Sequence, residues 1–222
     1  MKMNVLSDVT AVVAHFQTPD LLERTVNTFR TAYPDVSVIV VDNGSDQRSA
    51  ELLNQFDSRA RPNTSVLRLG QNYFHGPALD RAIGEVVDTK YVFALDSDTE
   101  TRKPGFLEAM LELLAASDRN YACGRLIRVN RRGFVSDAGP HTVCWIPYML
   151  FKRELYLGLP PFEHHGVPNL RNCIAAGAAS LKLLDFPIED FINHVGRGTA
   201  GLYGYNLGLR GLVDRILNRF SH

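Results

Sequence analysis

Apolar runs alternate with amphipathic segments along the first half of the chain. Four runs, at residues 9–15, 37–41, 65–69 and 91–95, are largely apolar, which is typical of strands buried on both faces of a sheet. The segments between them repeat apolar residues at helical spacing, and Thr18 and Pro19 suit the start of the first helix. Further helices are predicted over 49–56, from 76 to 87 and over 104–115. This alternation predicts an α/β/α sandwich with a mostly parallel sheet over about residues 1–120.

The second half of the chain loses this rhythm. Residues 121–129, a turn at 131–133 and the residues from 134 onward predict a hairpin, and prolines interrupt the chain beyond it. We predict a mixed, loop-rich half laid across one edge of the sheet. The tail 206–222 predicts an amphipathic helix with arginines beside its apolar stripe. That helix packs on the core or on a partner subunit in one interpretation, and lies on an anionic membrane surface in the other.

The composition excludes several classes of protein. The chain has 222 residues, 45% apolar and 22% charged, which is an ordinary globular mixture. Lys+Arg and Asp+Glu both number 24, so no net positive charge draws the chain to nucleic acid. The three cysteines are an odd number and include no CxxC pair, so the sequence predicts neither a disulfide framework nor a zinc ribbon. A reducing compartment is the simpler interpretation. We find no signal-peptide core and no run long enough to span a membrane, and we expect a cytoplasmic protein.

Polar residues follow three of the predicted strands, where each strand ends. Ligands collect at the carboxyl edge of parallel sheets, so residues 15–18, 42–45 and 96–98 are expected to form one site. Asp96 and Asp98 offer the hard oxygen ligands that Mg²⁺ and Mn²⁺ favour, although such acids also occur in solvated turns. Asp42 either accepts a hydrogen bond from a nucleotide or caps its own Asn-Gly turn.

The motifs, in their order along the chain, resemble those of the family 2 glycosyltransferases, which have the GT-A fold. The resemblance is carried by residues 15–18, 40–45, 72–80 and 93–98, and Asp96-Ser97-Asp98 is similar to the family's DXD motif. Order and spacing agree over about residues 8–115. The resemblance implies a single GT-A domain over 1–222, in which 1–120 bind a nucleotide sugar, 121–205 bind the acceptor and 206–222 form the C-terminal helix.

The resemblance also implies a donor site for a UDP-, GDP- or dTDP-linked sugar. The residues that it places near the nucleotide, the diphosphate or the sugar are His15, Phe16, Thr18, Asp42, Asn72, Gly76, Asp80 and Asp96. Asp98 would hold Mn²⁺ or Mg²⁺, and the late His194 would be a further metal ligand, although a histidine among apolar residues is also common in protein cores. Arg197, in a stretch rich in glycine after His194, would contact the diphosphate.

The sequence singles out no catalytic base. Inverting transfer needs a group that takes the proton from the acceptor hydroxyl as it attacks the sugar. Relatives often carry this base in a Glu-Asp pair ahead of a helix, and residues 162–170 contain no such pair. Glu163, His164 and His165 are the alternatives there, and Glu163 and His165 are our catalytic candidates. A Glu-Asp pair does occur at 189–190, just before His194.

The predicted function is transfer of a sugar from a nucleotide-diphosphate sugar to an acceptor hydroxyl, with inversion and a divalent metal, in polysaccharide or glycolipid assembly. A nucleotidyltransferase is the first alternative, but the chain lacks a Gly-rich basic loop after its first strand. A non-catalytic nucleotide-sugar binding protein is the second, and the missing Glu-Asp pair keeps it open. Residues 196–201 match GxGxxG by letters alone, because too few residues follow for a dinucleotide-binding unit.

Overall fold

Strands and helices alternate through the first half of the computed structural model, as the apolar pattern predicts. The structure describes residues 5–57, 62–163 and 167–195. The first strands are β1 (Val9–His15), β2 (Ser37–Asp42), β3 (Thr64–Arg68), β4 (Tyr91–Asp96) and β5 (Thr99–Thr101). The first helices are α1 (Pro19–Ala32), α2 (Gln47–Phe56), α3 (His75–Glu85) and α4 (Phe106–Ala115). Most boundaries lie within two residues of the predicted ones, and the short β5 is a strand that the pattern does not predict.

The second half adds short strands and two more helices. Its strands are β6 (Asn120–Gly124), β7 (Leu126–Val129), β8 (His141–Cys144), β9 (Tyr148–Lys152), β10 (Lys182–Asp185) and β11 (Ile192–His194). Its helices are α5 (Arg153–Leu157) and α6 (Leu170–Ala178). Single 3₁₀ turns are found at Val5–Asp8 and Ile188–Asp190.

The central sheet has seven strands in the order β10-β6-β9-β4-β1-β2-β3. β1 runs parallel to β2 and β4, β2 runs parallel to β3, and β6 runs parallel to β10. β9 is antiparallel to both of its neighbours, β4 and β6. Two smaller sheets pair β5 with β11 and β7 with β8. The prediction of a mostly parallel α/β sheet is therefore confirmed.

Apolar residues cover both faces of this sheet, as its apolar strands require. In β1, Val13 packs on the face covered by α1, α2 and α4, whereas Val12 packs on the face covered by α3 and α6. On the first face, Phe29 of α1 and Phe106 of α4 both contact the ring of Phe93 in β4. Helices on the two faces make the α/β/α sandwich that the sequence predicts.

The strands of the second half correct the sequence prediction. The predicted strand at 121–129 breaks after Gly124 into β6 and β7. At Gly124 the backbone approaches β9 so closely that an added Cβ would lie 2.9 Å from the Tyr148 carbonyl oxygen. β7 pairs antiparallel with β8, so the predicted hairpin is present, but its second strand begins at His141; nearer the turn, Val135 forms only an isolated bridge with Val129. β9 lies inside the sheet, between β4 and β6, and not across its edge.

Helix α6 lies in a part of the chain where the prolines led us to predict loops. Its buried residues are Asn172, Cys173 and Ala176, so its inward stripe is small and partly polar, and the helical period is hard to see in the sequence. The predicted tail helix at 206–222 lies outside the described residues. Among the helices of the described segments, none is both long enough and apolar enough to cross a membrane.

Candidate functional site

The carboxyl ends of β1, β2 and β4 lie side by side at one edge of the sheet. β1 pairs in parallel with both neighbours, so that His15 lies opposite Asp42 and Ala14 lies opposite Asp96. The polar strand ends found in the sequence therefore meet at one edge, as expected of parallel strands.

A small second sheet holds the acids that follow β4. β5 begins directly after Asp98 and pairs antiparallel with β11, which places His194 opposite Thr99. The N–H of Val195 donates to the Asp98 carbonyl at 2.9 Å and extends the pairing to Asp98 itself. A residue near the end of the described chain is thereby brought to the DXD motif.

Asp96, Asp98 and His194 converge on one point. His194 Nε2 lies 3.1 Å from Asp98 Oδ1 and 3.7 Å from Asp96 Oδ2. One ligand atom from each residue lies within 4.8 Å of the others. The side chains expose only 12–24% of their surface. Two carboxylates and an imidazole are a ligand set suited to a divalent ion such as Mn²⁺, so these residues fit a metal.

Electrostatic interactions couple the acids to two histidines. Burial alone would raise the pKa of Asp96, but His75 and His194 outweigh it and hold that pKa well below its usual range. Contact with Asp96 and Asp98 raises the pKa of His194 to about 10. His194 is therefore protonated at neutral pH when no metal is bound, and its positive charge offsets the repulsion between the two acids.

Helix α1 anchors β5 through two threonines. Thr25 Oγ1 donates to the Thr99 carbonyl at 2.8 Å and accepts from the Thr99 N–H at 3.2 Å. Thr28 Oγ1 accepts from the Thr101 N–H at 3.1 Å. The sequence does not predict these contacts. Its one indication of them is that Thr25 and Thr28 lie one turn apart on the same helix. They tie the backbone that follows Asp98 to the main core.

His15 ends β1 as a buried imidazole. It is 1% exposed, and neither ring nitrogen has a hydrogen-bond partner among the described residues. Burial lowers its pKa to about 4, although Asp42 and Asp46 act in the opposite direction. His15 is therefore neutral at neutral pH and offers one donor and one acceptor nitrogen at the edge of the sheet.

The buried His15 predicts an acid sensitivity of the fold. Because its folded-state pKa of about 4 lies below the ordinary value of 6.5, the unfolded chain takes up the proton first as pH falls. We expect protonation of His15 in the unfolded chain to lower the free energy of unfolding by about 2 kcal/mol between pH 7 and pH 5. Urea denaturation at both pH values measures this in the wild type and in His15→Gln. Between pH 7 and pH 5, His15→Gln should lose about 2 kcal/mol less unfolding free energy than the wild type. Equal losses in the two proteins would contradict the prediction.

Asp42 forms a turn that also holds the residues after β1. Its Oδ1 accepts from the Ser45 N–H at 2.9 Å, so the side chain does cap its own turn. Ser45 Oγ accepts in turn from the N–H of Gln17 at 3.3 Å. A carboxylate has a second oxygen, so this cap leaves the predicted nucleotide contact of Asp42 possible as well.

The start of α1 differs in detail from the prediction. Thr18 occupies the N-cap position and its carbonyl accepts from the Leu22 N–H at 3.0 Å, but its hydroxyl makes no capping hydrogen bond. That hydroxyl faces the Phe16 carbonyl at 3.4 Å instead. Thr18 is buried and Phe16 is half-buried, both beside His15 at the edge of the sheet. Their predicted contacts with a nucleotide stay predictions.

A buried asparagine ties the end of β2 to the loop before α3. Asn43 Nδ2 donates to Asn72 Oδ1 at 3.0 Å, and Asn43 Oδ1 accepts from the Tyr73 N–H at 2.8 Å. Asn72 Oδ1 also accepts from the Phe74 N–H at 2.7 Å. The side-chain oxygen of Asn72 thus organises its own loop. The role of Asn43 is not predicted, because in the sequence this residue is only half of a turn signal.

The N-terminus of α3 packs on the segment that carries Glu163. A Cβ added at Gly76 would lie 1.9 Å from the Glu163 carbonyl oxygen, so only glycine fits there. The preceding residue, His75, places its Nε2 3.0 Å from Asp96 Oδ1. Two adjacent residues of α3 thus contact the acidic edge and the Glu163 segment. The Glu163 carboxylate itself pairs with Arg171 at 2.6 Å.

Asp80 faces a tyrosine of the second half. The Tyr156 hydroxyl donates to Asp80 Oδ1 at 2.5 Å and accepts from the Phe162 N–H at 3.3 Å. This contact joins α3 to the chain just before Glu163, and the predicted place of Asp80 near the diphosphate stays a prediction. His165 and Arg197 lie outside the described residues, and their roles stay predictions as well.

A cationic and aromatic cluster adjoins His194 on the side of the second half. The Trp145 ring stands edge-on to His194 with centroids 5.5 Å apart, and the Arg125 guanidinium lies 4.9 Å above Trp145. Arg125 pairs with Glu189, which also accepts from the Tyr148 hydroxyl at 3.1 Å. The Glu189-Asp190 pair is visible in the sequence, but Trp145 and Arg125 are not singled out there, because their proximity to His194 depends on long-range pairing.

The arrangement of strands and acids has counterparts among known proteins. The sequence model of glycosyl transferase family 2 matches residues 10–172. The chain belongs to this family. The match includes Asp96 and Asp98 and reaches into α6, whereas His194 follows it in the chain.

Two curated relatives are similar to about half of this chain. The undecaprenyl-phosphate 4-deoxy-4-formamido-L-arabinose transferases of Pectobacterium atrosepticum and Pectobacterium carotovorum are 30% and 31% identical to it over 118 residues. The matches cover 51% of this chain and 33% of each relative. The chain therefore spans about a third of the length of these relatives.

Solved structures share the fold. The mannosyltransferase PcManGT from Pyrobaculum calidifontis, in complex with GDP-Man and Mn²⁺, is 16% identical with a TM-score of 0.63, over 81% of this chain and 55% of its own. TarS of S. aureus, in complex with UDP, is 14% identical with a TM-score of 0.56, over 83% of this chain and 59% of its own. At these identities the similarity shows the fold, which is that of the GT-A glycosyltransferases, as predicted.

Proposed function

We propose that this chain is a metal-dependent glycosyltransferase that moves a sugar from a nucleotide-diphosphate donor to an acceptor oxygen in glycolipid or polysaccharide assembly. The observation that carries the proposal is the convergence of Asp96, Asp98 and His194 beside the ends of β1 and β2, in a chain of this family. This is the edge of a parallel sheet at which nucleotides bind. Within a single domain over 1–222, residues 1–120 serve the donor and 121–205 serve the acceptor.

A divalent metal, Mn²⁺ or Mg²⁺, is the proposed cofactor. Asp98 and His194 would hold it, with Asp96 beside them. When bound, the ion supplies positive charge that stabilises a departing nucleoside diphosphate. The imidazole in the set favours Mn²⁺, because Mg²⁺ prefers oxygen ligands alone. The presence of Mn²⁺ with GDP-Man in PcManGT supports this assignment.

The ends of β1 and β2 are proposed to bind the nucleotide of a UDP-, GDP- or dTDP-linked sugar. His15 offers a neutral imidazole whose nitrogens lack partners in the described chain, and Asp42 offers a half-buried carboxylate next to it. The imidazole can donate or accept a hydrogen bond with a base or a ribose, and the carboxylate can accept one. UDP in TarS and GDP-Man in PcManGT support the choice of nucleotide class.

Two variants of Asp42 separate a nucleotide contact from a turn cap. Asp42→Ala should weaken nucleotide binding by about 1–3 kcal/mol, the loss of a charge-assisted hydrogen bond. Asp42→Asn keeps an oxygen for the Ser45 N–H and removes only the charge. Calorimetric titration of UDP, GDP and dTDP with Mn²⁺ measures both dissociation constants. If Asp42→Asn binds as tightly as the wild type, Asp42 is a turn residue alone.

Glu163 is the proposed base for a hydroxyl acceptor, with His165 as the second candidate. Its backbone lies against α3 beside the acids, which supports its place on the acceptor side. Arg171 engages Oε1 of its carboxylate at 2.6 Å, so Oε2 is the oxygen that takes the proton unless this ion pair opens. The pair is exposed, so opening it costs little.

A phosphate acceptor needs no base, and the names of the curated relatives favour it as a second candidate. A phosphate monoester is largely ionised at neutral pH, so its oxygen attacks without first losing a proton. The Pectobacterium relatives are named as undecaprenyl-phosphate transferases, which supports a polyprenyl phosphate as this acceptor. Such a substrate would also favour peripheral contact of the tail 206–222 with the inner face of a membrane.

The proposal is tested by nucleoside diphosphate release from UDP-, GDP- and dTDP-sugars, with Mn²⁺ or with a chelator. Undecaprenyl phosphate and undecaprenol serve as matched acceptors that differ only in the phosphate. Metal-dependent release that one of them stimulates supports a transferase and identifies its nucleophile. Nucleotide binding without release from any donor, with either acceptor, would instead indicate the non-catalytic binding protein.

A further inference from the structure

We infer that His75 is a positioning residue of the donor site, which holds Asp96 by one oxygen so that the other faces the metal position. The inference rests on the proposed function. His75 Nε2 lies 3.0 Å from Asp96 Oδ1, while Asp96 Oδ2 faces His194 Nε2 at 3.7 Å. The two oxygens of one carboxylate thus have different partners on different elements. Both are ion-pair contacts without hydrogen-bond geometry, and together they favour this rotation of the Asp96 side chain.

The chain presents His75 to Asp96 through an unusual turn. Phe74, the residue before α3, has φ 69° and ψ 170°, which is a conformation that residues with a Cβ rarely adopt. Its N–H is held by Asn72 Oδ1 at 2.7 Å, and Asn72 is held in turn by the buried Asn43. Strain of this kind persists only where surrounding contacts impose it, and it is concentrated at functional sites. Here it sets the direction in which α3 begins, with His75 as its first residue.

Asp96 requires such a partner because it stands beside a second acid. Asp96 and Asp98 offer ligand atoms within 4.8 Å of each other, and like charges at that distance repel. A carboxylate without His75 is free to rotate away from Asp98, or to engage His194 with both oxygens and so occupy the metal's position. The His75 imidazole beside Oδ1 opposes both rearrangements. His75 therefore acts through Asp96 and need not touch the metal or the sugar.

Three variants test this role through metal binding. His75→Ala removes the contact, and His75→Gln keeps an N–H donor of similar reach. His141→Ala is the control, since His141 is a half-buried histidine of β8 opposite Val129, on the separate β7–β8 pair. Titration of Mn²⁺ into each protein is followed by the electron spin resonance of the free ion, with melting temperature measured in parallel.

His75→Ala should raise the Mn²⁺ dissociation constant and the donor KM about tenfold, with a smaller change in kcat, since the group acts on binding geometry. His75→Gln should recover most of the loss, and His141→Ala should match the wild type. Equal Mn²⁺ affinity in His75→Ala and the wild type would overturn the inference. So would a loss that His75→Gln does not restore.

A metal-free measurement keeps the inference separate from the proposed function. Nitrogen NMR of the imidazoles compares the wild type with Asp96→Asn, and the signals of His75 should shift while those of His141 stay in place. Unshifted His75 signals would overturn the inference whatever the metal data show. A wild type that binds neither Mn²⁺ nor a nucleoside diphosphate would contradict the proposed function instead, and a positioning role for a metal site with it.

Discussion

Replacing Asp98 by asparagine should abolish metal-dependent donor binding and lower sugar transfer by about 100-fold or more. Asp98 is the least exposed of the three candidate ligands, and its Oδ1 lies 3.1 Å from His194 Nε2. Asparagine has nearly the same shape but carries no charge, so it supplies neither the attraction for a cation nor the balance of charge with His194. Calorimetry of nucleoside diphosphates with and without Mn²⁺, together with rates of transfer, measures the effect.

The control for this variant is Asp88→Asn, an exposed aspartate in the connection between α3 and β4. It makes the same chemical change away from the acids and should leave binding, transfer and melting temperature unchanged. Asp98→Asn should keep a cooperative unfolding transition, since Asp98 lies in a turn anchored by backbone pairing and by Thr25. Persistent stimulation by Mn²⁺ in a folded Asp98→Asn protein would show that the metal site lies elsewhere.

The site is completed by pairing between distant parts of the chain. The family match ends at residue 172, and His194 follows it, joined to the acids by the β5–β11 ladder. Trp145 and Arg125 approach His194 from the strands of the second half. The two halves therefore share the candidate metal site, and under the proposed function an acceptor bound by the second half would meet the donor at His194.

Local patterns in the sequence account for the first half of the fold. Strands buried on both faces must be apolar throughout, and the helices between them must show one apolar stripe, so β1 to β4 and their helices are visible in the residues. The second half depends on pairings between remote strands. No local pattern shows that β9 enters between β4 and β6, or that β11 pairs with a strand of three residues after Asp98.

The residues of the candidate site also divide into those that local sequence patterns indicate and those that depend on contacts between remote elements. Asp42, Asp96 and Asp98 follow apolar runs, and parallel pairing brings such positions to one edge, so the residues themselves indicate them. His194 is expected only through resemblance to relatives, because nothing local links it to Asp98. His75 and Asn43 are not singled out, since their importance comes from contacts with side chains on other elements.

Gly76→Ala should destabilise the protein by about 1–3 kcal/mol and weaken Mn²⁺ binding together with it. The added Cβ would lie 1.9 Å from the Glu163 carbonyl oxygen, so either α3 or the Glu163 segment must shift. Phe162 is buried against Tyr156, which resists movement of that segment. A shift of α3 would carry His75 away from Asp96. Urea denaturation and Mn²⁺ titration measure the two effects.

Gly84→Ala provides the matched control for Gly76→Ala on the same helix. A Cβ at Gly84 meets nothing within 4 Å, so the change removes only the conformational entropy of an exposed glycine in α3. It should stabilise the protein by about 0.5–1 kcal/mol. The same substitution is thus expected to change the stability in opposite directions at two positions of one helix, because Gly76 packs against the Glu163 segment and Gly84 does not. A Gly76→Ala protein as stable as the wild type would show that this contact is loose, and would remove the link between α3 and Glu163.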